Sequence, residues 1–120
     1  MSYYNKLVRD NIPDTIRANG EEPITHIAGE QEYVDELVKK FSEEIQEFID
    51  EPSAEEAGDI LEVLYALATL KGIDPNTIED ARKQKFEMRG GFEQRIILDG
   101  VGSRRLEEDE VDFIQQISGI

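Results

Sequence analysis

The chain contains no cysteine. That excludes a disulfide framework, a thiolate metal site and a cysteine nucleophile. Its one histidine, His26, lies in an irregular stretch and is read as a structural or surface residue, so no Ser-His-Asp set is available. Cations are scarce too: 13 Lys and Arg face 28 Asp and Glu, for a net charge of −15. That balance argues against a nucleic acid polymer as partner, because such binding rests on a basic footprint. A small nucleotide is not excluded, since a few local cations or divalent metals on the acidic residues can hold its phosphates. No apolar run approaches the length of a membrane span, and "MSYYNKLVRD" has charges where a signal peptide needs an apolar run. A cytoplasmic protein without a membrane partner is expected. A Walker A sequence is missing, and "DGVGSRR" lacks the third glycine and the strand-turn-helix setting of a dinucleotide fingerprint. Its glycines are assigned to loops.

What is present is helical periodicity. The 120 residues contain no long polar linker and no internal repeat, so they read as one domain, 1–120, with a tail over 100–120. "LVRDNIPDTIRA" predicts a short helix near Pro13 that ends at Gly20. Residues 24–28 form a candidate short strand. Over 32–51, Val34, Leu37, Val38, Phe41, Ile45, Phe48 and Ile49 recur at helical spacing, which predicts an amphipathic helix. Pro52-Ser53 breaks it, and Ser53 is placed to cap a second helix to about residue 71, with Glu56 at the capping-box position and Gly72 as the stop. Asp74-Pro75 opens a third long helix ending at Gly90-Gly91, and "QRIILDG" reads as a brief strand that pairs with 24–28. The tail forms a short helix or packs on a partner chain. The predicted fold class is all-α: an antiparallel helical bundle with at most a minor short β-pair. The helix over 53–71 is apolar around too much of its surface for three helices to cover, so a second chain is expected to complete the bundle.

Within that apolar helix two acids are out of place. Glu56 projects inside the apolar arc and Asp59 lies at its edge on the same side. The preceding helix carries "EEIQE", in which Glu43, Glu44 and Glu47 line one margin of the apolar stripe. A short turn joins the two helices, so Glu44 and Glu47 face Glu56 and Asp59 across the groove. No Lys or Arg occurs between residues 41 and 70 to neutralise them. A solvated acidic face is the ordinary fate of helical glutamate, but crowding of this kind on two adjoining helices is unfavourable without a cation. All-oxygen ligands select hard ions, Mg²⁺ first and Mn²⁺ as a substitute.

"EEIQE" followed by "EAGD" resembles the E-E-x-x-E … E-x-x-D signature of the MazG-like all-α nucleoside triphosphate pyrophosphohydrolases. "YNKLVRDNIP" and "RGGFEQRIIL" are similar to the branch described as phosphoribosyl-ATP pyrophosphohydrolase-like, and the resemblance spans residues 3–99. It implies Glu44, Glu47, Glu56 and Asp59 as Mg²⁺ ligands, and Glu43 as a metal-associated residue or the base for the attacking water. It also implies a homodimer or higher assembly and a house-cleaning or nucleotide-pool role. The expected reaction converts a nucleoside triphosphate, or a related nucleotide, to the monophosphate and pyrophosphate. Two alternatives stay open: a phosphoribosyl-ATP pyrophosphohydrolase of histidine biosynthesis, and a non-catalytic helical interaction module.

A triphosphate needs cations beyond the metals. Lys6 with Arg9, and Arg82, Lys85 and Arg89 on the third long helix, are the candidate phosphate-binding residues, with Lys83 beside them. Arg82, Lys85 and Arg89 share one helix face. The glycines of "RGGF" either let the backbone approach a ligand or cap the helix. Tyr3, Tyr4 and Asn5 are read as packing residues rather than contacts to a base or ribose.

Overall fold

A computed structural model describes residues 4–102. The chain divides into two compact units, Met1–Lys85 and Phe86–Ile120. Tyr3 and the tail beyond residue 102 lie outside the described residues. Four α-helices account for all the regular structure described: α1 (Ile12–Ala18), α2 (Glu30–Asp50), α3 (Ala54–Leu70) and α4 (Asn76–Arg89). The all-α class follows from that. No helix among the described residues is long and apolar enough to cross a membrane.

The ends of these helices follow local chemistry. Pro13 sits in the first turn of α1, where a missing N–H costs nothing. Both α1 and α3 close on a left-handed glycine. At α3, Gly72 has φ +78°, its N–H donates to Thr69 O, and the Ile73 N–H donates back to Ala68 O. These paired bonds satisfy carbonyls that the last helical turn leaves open. Gly90 does the same for α4 at φ +81°, with its N–H on Phe86 O at 2.7 Å. "RGGF" is therefore a helix cap, and a Cβ on Gly91 would meet the Phe86 ring at 3.1 Å.

The start of α3 matters most for the site. Ser53 is extended, and its Oγ accepts from the Glu56 N–H at 3.0 Å. Glu56 Oε2 is buried and has no hydrogen-bond partner. The Glu56 side chain is left for other neighbours.

Residues 51–53 join α2 to α3, and these two are the one packed helix pair among the described residues. The buried apolar side chains are Leu37 on α2 with Val63 and Ala68 on α3. That seam is thin. Val38 is 53% exposed, Ile49 64% and Leu61 45%, so both helices retain apolar surface beyond it.

The two brief strands are not formed. Residues 24–28 are irregular, with Ile24 and Ile27 exposed, and a lone two-stranded pair has too little apolar surface to hold itself. In the other segment Arg95 adopts φ +58°, a left-handed conformation that interrupts an extended run. Tyr4 is 76% exposed and does not pack as expected, and His26 is a surface residue paired with Glu32 at 3.0 Å.

Ser53→Ala should cost about 1 kcal/mol of stability, the usual worth of an N-cap side chain. Urea unfolding checks it, and an unchanged midpoint would mean that the cap contributes nothing.

Candidate metal centre

The α2–α3 seam gathers carboxylates at the end nearest the connecting turn. Glu44, Glu56 and Asp59 each offer a ligand atom, and these atoms lie within 4.8 Å of one another. Glu44 is 8% exposed, while Glu56 and Asp59 are half-buried. Glu44 Oε2 and Glu56 Oε2 are both shut off from solvent with no hydrogen-bond partner. A buried polar atom left in this way is destabilising by about 1–3 kcal/mol, and more when charged. The donor set is all oxygen, which suits a hard cation. These three side chains can hold a metal ion.

The electrostatics of the seam agree. Burial pushes the Glu44 carboxyl above the usual carboxylate range; the Glu47 charge adds to this, and Lys40 opposes it. Glu56 is raised as well, by loss of water first and then by the charges of Glu47 and Asp59. Glu47 is therefore a close electrostatic neighbour of both, although it is exposed and stands outside the set of three. Glu43 is half-buried on α2 and is also outside it.

Cations do reach this site, from outside the 41–70 window. Arg9 Nη2 donates to Asp59 Oδ1 at 2.6 Å, across a separation of 50 residues. Lys40 Nζ stands 3.6 Å from Glu44 Oε1, one turn earlier on the same helix. Lys40 is a cation of the site that the phosphate-binding candidates do not include, and its i, i+4 spacing to Glu44 is the sequence signal for it.

The other candidate cations are placed differently. Arg82 is engaged by Glu79 through two bonds at 2.6 and 3.0 Å, which hold the Glu79 carboxyl below its ordinary range. Lys6 and Lys85 are exposed. Arg89 closes the last turn of α4. On α3, Glu62 follows Asp59 by one turn and borders a groove of about 460 Å³, lined also by Tyr33, Tyr65, Thr69, Leu70 and Pro75.

No family model, curated protein or solved structure matches this chain.

Glu44 and Glu56 hold their protons more tightly in the fold than at the reference value of 4.5, so their stabilising contribution is complete below that pH. It is lost as pH rises through the raised values. In chelator the protein should therefore lose stability as pH rises above 4.5. Glu56→Gln should melt higher than the parent at pH 7 and show a shallower pH slope. Equal slopes in thermal melts of the two proteins would remove Glu56 from the account.

Proposed function

We propose that this chain is a Mg²⁺-dependent nucleotide pyrophosphohydrolase of the MazG-like type. It splits a nucleoside triphosphate or a related nucleotide into the monophosphate and pyrophosphate, in a house-cleaning or nucleotide-pool role. The observation that carries the reading is the pair of buried, unpartnered oxygens, Glu44 Oε2 and Glu56 Oε2, within a cluster of three carboxylates. Those residues occupy three of the positions to which the acidic signature assigns metal ligands.

Glu44, Glu56 and Asp59 hold the ion, with Glu47 at the solvent side as the fourth acidic group. Bound Mg²⁺ supplies charge neutralisation on phosphate oxygens and lowers the pKa of water. Glu43 or Glu47, the two acids that flank Glu44 in "EEIQE", would accept the proton of the attacking water. Lys6 lies three residues before Arg9 in the same segment and supplies charge for the distal phosphates. The exposed Val38, Ile49 and Leu61 support assembly with a second copy. The same apolar surface supports the rival reading, a non-catalytic helical module that is indifferent to magnesium.

Activity should require Mg²⁺ or Mn²⁺ and vanish in chelator. Glu56→Gln should lower kcat/KM by about 10²–10³-fold, the scale of losing one preorganised charge-stabilising group. Phosphorus NMR in ¹⁸O-water should place label in the monophosphate and leave pyrophosphate unlabelled. A substrate panel that includes phosphoribosyl-ATP separates a nucleotide-pool enzyme from one of histidine biosynthesis. Normal hydrolysis by Glu56→Gln, or inactivity across the panel with magnesium present, would overturn the reading. Light scattering should give a dimer or larger, and a stable 13.7 kDa monomer at micromolar concentration would defeat the assembly.

A further inference from the structure

We infer that Arg9 is a counter-ion which the carboxylate site exchanges for its metal, so that loading the site frees this arginine for an anionic ligand. The inference rests on the metal reading above and adds a residue that tunes metal affinity. Three observations support it. Arg9 Nη2 lies 2.6 Å from Asp59 Oδ1, so a member of the ligand set already carries a cation. Glu44 is buried with Oε2 unpartnered, so the site still lacks positive charge after Arg9 and Lys40 have been counted. Finally, the Arg9 side chain is 54% exposed and belongs to the irregular segment that precedes α1, so little packing opposes its departure.

The two cations at the cluster differ. Lys40 is held beside Glu44 by the helix they share, at 3.6 Å. Arg9 comes from a segment 50 residues away and makes one contact, with Asp59. A divalent ion shared by Glu44, Glu56 and Asp59 draws on the same carboxylate and repels a guanidinium beside it. An exposed Arg–Asp pair is weak because water screens it, so a divalent ion held by three carboxylates displaces it. A guanidinium released next to a metal site presents a planar set of donors that matches a phosphate oxyanion. The arginine then serves the metal-free site as a charge and the loaded site as a ligand contact.

Mn²⁺ binding to the full chain, read by calorimetry and by loss of the free-ion EPR signal, tests the exchange without nucleotide. Arg9→Gln should bind Mn²⁺ roughly three- to tenfold more tightly than the parent, the scale of one surface charge pair or slightly more. Arg9→Lys, which retains the charge, should stay near the parent value. In the parent, Mn²⁺ should speed amide hydrogen exchange over residues 4–11. Unchanged or weaker Mn²⁺ binding by Arg9→Gln, or slower exchange over 4–11, would overturn the exchange while leaving the metal centre in place. Absence of Mn²⁺ binding in parent and variants alike would remove the metal centre itself, and the exchange with it.

Discussion

Two glutamate oxygens are buried at the α2–α3 seam with no hydrogen donor to meet them. Most of the site follows from that constraint. Helices packed through a seam as thin as Leu37, Val63 and Ala68 have little apolar burial with which to offset crowded carboxylates. Stability is a small difference between large terms, so an unrelieved acidic cluster is a substantial fraction of it. Relief takes three forms, each tied to a named group. Burial and neighbouring charge raise the Glu44 and Glu56 carboxyls so that they hold protons more readily, Arg9 and Lys40 bring partial compensation, and a divalent ion would complete it.

That constraint also explains a local irregularity. Ser53 caps α3 by accepting from the Glu56 backbone, while Glu56 Oε2 stays buried without a hydrogen-bond partner. A reciprocal cap would satisfy one more donor at the helix start. Its cost here would be a carboxylate withdrawn from the cluster. A single residue is thus divided between two tasks, its backbone fixing where α3 begins and its side chain joining the acidic set.

Charge on α4 is organised by different rules. Arg82 and Glu79 form an exposed pair one turn apart, the kind of contact that steadies a helix which buries none of its residues. Arg9 contrasts with it, because its salt bridge to Asp59 joins parts of the chain 50 residues apart. Contacts with near neighbours follow from helix geometry, whereas this one ties the segment before α1 to Asp59 on α3.

Much of the fold was legible because its determinants are local. Helical spacing of apolar residues marks α2 and α3, Ser53 marks a start, and Gly20, Gly72 and Gly90 mark ends because their positive φ angles suit no other residue as well. The acidic pairs on two adjoining helices were legible for the same reason, since a fixed period and a short turn bring Glu44 opposite Glu56 and Asp59. The strands expected at 24–28 and in "QRIILDG" are not formed because a strand needs a partner and a covered face, and short apolar runs do not carry that information. Tertiary structure alone decided how closely the carboxylates converge, bringing Glu44, Glu56 and Asp59 within 4.8 Å of one another with Glu47 beside Glu44 and Glu56. It also decided which cations arrive. Arg9 and Arg82 look alike along the chain, yet one reaches Asp59 and the other stays with Glu79. Helix period fixes neighbours three or four residues away, but a partner 50 residues distant is chosen only when the chain has closed upon itself.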